Sequence, residues 1–542
     1  MQQEIAHDGY QRPAIPPRTV IIVSHLLVAA VVRLLCILRY RIDSDEPQHL
    51  HAAWEWSRGL VMYRDFYDNH LPFFHLLFAP FIGLAGETES ILLFGRLAML
   101  PLAAAAILLV FLIAERLYGR ELAAWSALAA SLLPPFLLKS VEFRNDNLWV
   151  VLILAAVAVA LAEPTRGRTF LLGVLLGLAA VTSIKTVHAV VGIGGALVLL
   201  RFSRGRGDDR TDGTNDASLG RWGWLAGGFA IAPLLTVAAF ARMGALHELV
   251  LFAVKVNGLM TVAPWRRVAG IVLFAAAFVA ARHCVRRLQP RRAFVAAAAL
   301  LFAGSVFAVS PLISARDFLP ILPLGVIFAM AALRPRAGAF MHAVPAVLIL
   351  FTIVEGKLLA PPPAAPRSVI ADTLRLTNGD ASILDLKGET IFRRRATFVA
   401  FEPVGREMVR RGVLPNSVAD DLVSRRCYVA TKDSSFFPSP ARELLSEHYV
   451  PVTDELRVAG GRVAADRRFR ILVPGDYVPL DAAGQRLGRI RRLEAGEHRL
   501  SPNEAAATVV LWAGVGQREM MLRAAAPPAR AVELAELRRA AR

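Results

Sequence analysis

Residues 41–78 read RIDSDEPQHLHAAWEWSRGLVMYRDFYDNHLPFFHLLF. This polar stretch, with two acidic clusters and four histidines, follows an apolar run that begins near residue 19 and precedes a series of further apolar runs. A helix crosses a bilayer with about 20 mostly apolar residues. Runs compatible with that length begin near residues 19, 91, 121, 147, 169, 186, 221, 268, 293, 316 and 338. The spacing predicts a mainly α fold, a polytopic transmembrane bundle of about eleven spans. Residues 71–85 are too short for a span and contain Pro72, His75 and Pro80, which suits a helix lying in the interface.

Charge placement orients this bundle, because Lys and Arg in short loops collect on the cytoplasmic side. With 71–85 kept from crossing, the loops of one side hold sixteen basic residues, among them Arg116, Arg120, Arg206, Arg210, Arg334 and Arg336. The other side holds eight, including Lys139, Arg144, Lys185 and Arg316. The N-terminus is therefore expected in the cytoplasm and the C-terminal part outside, in a multi-pass protein of the cell (inner) membrane. Arg39, Tyr40 and Arg41 follow the first run where a cleavage site would need small residues, so that run reads as a retained anchor.

The 542 residues are 55% hydrophobic and carry +18, which excludes disordered and ordinary cytosolic classes. Three cysteines are too few for a disulfide framework. A charge of +18 alone would suit nucleic acid. Here +7 falls in residues 358–542 and much of the rest in membrane-flanking loops, so no nucleic-acid partner is expected. The composition changes at APPPAAPR, residues 360–367, a Pro-rich linker. We therefore expect a membrane unit at 1–357, an extracytoplasmic α/β domain at 358–465, and a small β-rich unit with a tail at 466–542. No catalytic signature stands out beyond the linker.

Within the quoted stretch, Asp45 reads as a helix N-cap, Glu46 and Pro47 as a first turn, and Gly59 as the stop. Capping and favourable charge at a helix start, worth about 0.5–2 kcal/mol, would account for Asp45 and Glu46 without any chemistry. Two further features bear on that choice. The pattern DEPQHLHAAWEWSRGLVMYRDFYDNHLP, followed by an apolar helix and FGRLAML, resembles the first extracytoplasmic loop of the GT-C integral membrane glycosyltransferases. It is most similar to the protein O-mannosyltransferases and the aminoarabinose transferases that modify lipid A. Asp45 and Glu46 match the acidic pair that opens that loop, Gly59, Tyr63 and Asp65 the Gly and aromatic-acidic stretch, and His70 and Pro72 the segment leading into the next helix. Phe73 stands where the family usually has a second Pro. Later matches keep the family order: KSVEFRNDNLW gives Arg144 and Asp146, the Gly-rich run ending in SIKTVH gives Lys185, and SARDFLPILPL gives Arg316, with Asp317 in place of the commoner Tyr. The resemblance covers roughly residues 19–357.

It implies inverting transfer of a sugar from a polyprenyl-phosphate donor to a hydroxyl of a protein, glycolipid or cell-surface glycan at the outer face. Asp45 would accept the hydroxyl proton. Arg144, Lys185 and Arg316 would meet the leaving phosphate. Glu46, Asp65, His70 and Asp146 join them as substrate-binding residues. Each has a plain alternative: Lys185 and Arg316 as snorkelling helix ends, and Arg144 with Asp146 as an exposed ion pair. His49, His51, His70 and His75 lack HExxH spacing, so no metal ligands are assigned, although a divalent metal stays open. The main rival function is a transporter or flippase of lipid-linked sugars, using the same charges as a path.

Overall fold

The computed structural model describes residues 17–204, 214–256, 262–333, 338–361, 365–432 and 434–526. Arg206, Arg210, Arg334 and Arg336, the middle of the Pro-rich linker and the tail after 526 lie outside the described residues.

Every apolar run read from the sequence is helical. The membrane unit begins with α1 (Pro17–Arg39), α2 (Asp45–Ser57), α3 (Phe73–Ala85), α4 (Ile91–Ala98) and α5 (Leu100–Tyr118). It continues through α6 (Arg120–Leu132), α7 (Pro134–Ser140), α8 (Asn145–Ala160), α9 (Arg166–Thr182), α10 (Thr186–Arg204) and α11 (Thr214–Arg242). After a short α12 (Leu246–Leu249) come α13 (Pro264–Arg287), α14 (Pro290–Val309), α15 (Leu322–Leu333) and α16 (Gly338–Glu355). Among the described residues, five helical stretches are long and apolar enough to cross a membrane: Ile91–Tyr118, Thr186–Ser203, Arg221–Arg242, Pro264–Arg287 and Pro290–Val309. The bent pair α6 and α7 makes a sixth, and other apolar helices, such as α8, are shorter. The eleven runs are thus apolar helical segments of unequal reach, within a multi-pass membrane protein.

Leu234, Leu235, Val268, Ile271 and Val279 face outward, as lipid-exposed side chains do. Inside, α9 and α11 touch backbone to backbone. A Cβ on Gly173 would stand 2.2 Å from the Leu225 carbonyl oxygen, and one on Gly228 2.2 Å from that of Phe170. Small residues at a helix crossing permit this approach.

Two breaks in the helices build the face of the bundle that carries α2. Leu133 is extended (φ −60, ψ 118) because it precedes Pro134, and this bends α7 by 65° from α6. The bend delivers the 139–146 segment alongside α2. A 3-10 turn at Ala315–Phe318, closed by a capping box between Ser314 and Asp317, presents Arg316 before α15. The short α3 buries Phe74, Phe78 and Ile82 and exposes Leu76, Leu77, Phe81 and Leu84, a two-sided pattern that suits the interfacial position expected for 71–85.

Beyond α17 (Ala365–Leu376) the described residues form ten short strands with helices between them, among them β4 (Tyr449–Pro451), β7 (Gly475–Asp481) and β8 (Arg491–Leu493). The principal sheet runs β2-β1-β3-β5-β10-β7-β8, with β4 also on β5. Its strands include β1 (Ser382–Leu384), β2 (Arg394–Arg395), β3 (Val429–Thr431), β5 (Leu456–Arg462) and β10 (Ala507–Trp512). β1 pairs in parallel with β2 and β3, while β5 pairs antiparallel with β3 and with β10. The β5–β10 ladder crosses the boundary expected at residue 465. The segments 358–465 and 466–542 therefore share one sheet. Local hydropathy could not reveal this, because the pairing joins strands some fifty residues apart.

Candidate active site

The start of α2 sits in a dense network of charges. Ser44 takes the position before the helix without a side-chain cap, so Asp45 is the first helical residue and not its cap. This corrects the capping assignment: the Asp45 carboxylate turns instead to Arg144 and to Lys387, each of which donates to one of its oxygens. Arg144 also donates to Asp43 Oδ1 at 3.1 Å and to Asp146 Oδ2 at 3.2 Å. Lys185 Nζ reaches Asp146 Oδ1 and Asp317 Oδ1, both at 3.0 Å. Arg316 Nη2 lies 2.5 Å from Asp43 Oδ2 and 3.4 Å from Glu142 Oε2. Of the expected residues, Asp45, Arg144, Asp146, Lys185 and Arg316 are therefore joined in one network.

Glu46 has a different set of partners. Arg96, on α4, grips it with two bonds of 2.8 and 2.6 Å. The amides of Asp43 and Phe143 donate to the same carboxylate at 2.9 and 3.3 Å. Arg96 also donates to the carbonyls of Ile37, Tyr40 and Arg41, satisfying acceptors left free at the end of α1. Both side chains of this pair are 1% exposed, and the Glu46 carboxylate is committed to joining α1, α2 and α4.

Asp65 and His70 lie on the following loop with other partners. Asp65 accepts from the Val61 amide at 2.8 Å and pairs with Arg64, closing a tight turn. His70 is held by Asp68, 2.7 Å from its Nδ1, and its ring stands 4.3 Å from that of His49. His49 Nδ1 is in turn 2.8 Å from His75 Nε2. Among the described residues no group of three or more His, Cys, Asp or Glu side chains has the geometry to hold a metal ion.

Four members of the network escaped the sequence reading. Asp43 and Glu142 are near neighbours of residues that were singled out, and their acidity was the available signal. Asp317 had been noted only as a departure from a pattern. Lys387 comes from the loop after β1, 342 residues from Asp45, and no local feature marked it. That loop is shaped by Asp385, whose carboxylate accepts from the amides of Gly388 and Thr390 and from the Thr390 hydroxyl. It packs directly on α2. Gly388, at φ +102, lies so close that a Cβ would meet the His51 ring at 2.6 Å. His51 Nδ1 donates to the Ile391 carbonyl at 2.8 Å, and Arg393 reaches Glu87 at 2.7 Å.

Electrostatics follow from this packing. Burial works against the Asp45 carboxylate, but the cations of Arg144 and Lys387 outweigh it and hold the group well below the usual aspartate range. Burial pushes Glu142 the other way, with the nearby Asp43 adding to it. Lys185 loses solvation, yet Asp146 and Asp317 raise it and keep it charged. The accessible edge of the network consists of Lys185 (28% exposed), Asp45 (26%), Arg316 (20%) and Lys387 (14%). Arg316 Nε is buried and has no hydrogen-bond partner among the described residues. In such a set the accessible carboxylate can serve as a proton acceptor and the cations beside it can stabilise a phosphate.

Residues 69–210 match the family model described as dolichyl-phosphate-mannose-protein mannosyltransferase. No curated protein matches the chain by sequence. Among solved structures, ArnT from Cupriavidus metallidurans in the apo state aligns with a TM-score of 0.50 at 14% identity, covering 81% of this chain and 98% of its own. The same protein bound to undecaprenyl phosphate aligns at 0.41 and 13% identity, with the same coverage of both chains. An oligosaccharyltransferase from Archaeoglobus fulgidus, solved with Zn and sulfate, aligns at 0.40 and 14% identity over 90% of this chain and 76% of its own. The chain thus shares the overall fold of ArnT, the GT-C type of helical membrane bundle, and its residues 69–210 match the dolichyl-phosphate-mannose-protein mannosyltransferase model.

Proposed function

We propose that the protein transfers a sugar from a polyprenyl-phosphate-linked donor to a hydroxyl group at the extracytoplasmic face of the cell (inner) membrane, inverting the anomeric carbon. The acceptor is a hydroxyl of a protein, a glycolipid or a cell-surface glycan, and the sugar a hexose or pentose. One observation carries the reading: Asp45 pairs with Arg144, and through Asp43 and Asp146 the same partly open network takes in Arg316 and Lys185, from well-separated segments of the membrane unit. The GT-C fold and the matched segment support it.

In the proposed reaction the acceptor oxygen attacks the anomeric carbon while the bond from that carbon to the phosphate oxygen breaks. The acceptor's proton passes to Asp45. The electron pair of the broken bond stays on the phosphate, where Lys185 and Arg316 stabilise the charge. Asp146 orients Arg144 and Lys185. Asp65 and His70 would contribute to substrate binding from the neighbouring loop. The N-terminus lies in the cytoplasm and the C-terminal domain outside. Purified protein in detergent should release polyprenyl phosphate from a radiolabelled donor in the presence of membrane acceptors. Asp45→Asn should remain folded and lose most of that turnover; full turnover in this variant would refute the assignment of the base.

A further inference from the structure

Building on that reading, we propose that Lys387, carried into the site by the C-terminal domain, is a donor-phosphate ligand that leaves Asp45 when the donor binds and thereby frees it to act as the base. The starting point is a chemical conflict. Both Asp45 oxygens are engaged, one by Arg144 and the other by Lys387. A carboxylate held by two cations is a poor proton acceptor. One of them must let go before the acceptor hydroxyl is deprotonated.

The geometry identifies which. Arg144 is anchored from behind by Asp43 and Asp146, and its side chain is 6% exposed. Among the described residues the Lys387 ammonium has as partners only Asp45 and the Ser44 hydroxyl, 3.1 Å away, and it stands at the accessible edge. A flexible four-carbon stem can swing to a neighbouring anion, whereas the doubly tied guanidinium cannot. The loop beneath it is rigid. Asp385 fixes its turn, and Gly388 seats it on His51. The domain thus delivers one movable cation from a fixed base.

The groups facing Asp45 are Asp43 on the same segment, Arg144 from the loop before α8, Lys387 from the C-terminal domain, and His49 one turn along α2. Glu142 and Arg316 lie just beyond Asp43. When the donor phosphate draws Lys387 away, the positive field on Asp45 weakens and its proton affinity rises. The acceptor proton then moves to the freed oxygen, the carbon–oxygen bond to phosphate breaks, and Lys387 stays on the leaving group. This arrangement makes donor binding a precondition for base action and gives the C-terminal domain a direct part in the chemistry.

The test uses the intact protein in detergent with undecaprenyl phosphate as probe, measuring Kd for the wild type, Lys387→Ala, Lys387→Arg, Asp45→Asn and the double variant. Loss of a charge-assisted contact predicts about tenfold or more weaker binding for Lys387→Ala, with recovery in Lys387→Arg. Because Asp45 competes with phosphate for Lys387, Asp45→Asn should bind more tightly than the wild type, and this gain should vanish in the Lys387→Ala background. In turnover, Lys387→Ala should shift the acid limb of kcat/KM upward by about one pH unit or more. A purely structural lysine would produce neither the competition nor the shift. Unchanged binding in Lys387→Ala, or an equal gain from Asp45→Asn in both backgrounds, would overturn the proposal while leaving Asp45 as base. Absence of any binding by folded wild type would overturn the donor reading, and this proposal with it.

Discussion

Arg96→Met offers a quantitative check on how the outer-face site is held. Arg96 and Glu46 form a bidentate pair with both side chains 1% exposed, and Arg96 alone supplies the carbonyls of Ile37, Tyr40 and Arg41 with donors. Methionine fills similar space but leaves a carboxylate buried with only the amides of Asp43 and Phe143. Stranding one member of a buried pair costs about 3–5 kcal/mol. That is a large part of the roughly 5–15 kcal/mol that holds a folded protein together. The double variant Arg96→Met with Glu46→Gln removes the stranded charge and should regain about 2 kcal/mol relative to Arg96→Met, a strongly non-additive result. Thermal unfolding of the detergent-solubilised protein, followed by tryptophan fluorescence and protease resistance, measures both. If the double variant is as unstable as the sum of the two single variants, Glu46 is not held as a buried ion and the argument fails.

Other consequences are open to direct measurement. Gly388→Ala would put a Cβ at 2.6 Å from the His51 ring in a backbone at φ +102, so it should lift the Asp385–Thr390 loop from α2, lower Tm and weaken donor turnover; wild-type values for both would contradict the described seating. Burial raises the Glu402 carboxyl to about 7, with the folded value above the unfolded one. The stability this contributes is fully present below about pH 4.5 and is lost as pH rises through about 7, so this group should cost the wild type stability between about pH 4.5 and 7. Glu402→Gln should flatten that slope in thermal scans. Topology reporters fused after residue 39 and within the C-terminal domain should both report the extracytoplasmic side; a cytoplasmic signal from either would reverse the orientation.

Much of this architecture was legible because apolar runs at bilayer length need no tertiary context to be recognised. The shortness of α3 was also readable, since Pro72, His75 and Pro80 interrupt its apolar run. Asp45, Arg144, Asp146, Lys185 and Arg316 could be picked out as charges at the outer ends of such runs. What they do with one another could not. Asp45 looked like a cap because its own sequence offers that partner, and Arg144 competes for it only after the Pro134 bend brings the loop round. Glu46 looked equivalent to Asp45, but Arg96 from α4 claims it. Lys387 illustrates the limit most clearly, because a lone lysine in a domain without a catalytic pattern becomes significant only through the β1 loop docking on α2. The pairing of β5 with β10 across residue 465 was hidden for a related reason: strand pairing is a long-range property.

The most direct measurement of the central claim is sugar transfer by the purified full-length protein from a labelled polyprenyl-phosphate donor, with wild type and Asp45→Asn compared at equal folded concentration. The account predicts release of polyprenyl phosphate with label passing to an acceptor hydroxyl in the wild type, and loss of nearly all of it in Asp45→Asn. Lipid-linked sugar moving between leaflets without any glycosyl transfer, or undiminished transfer by Asp45→Asn, would contradict it.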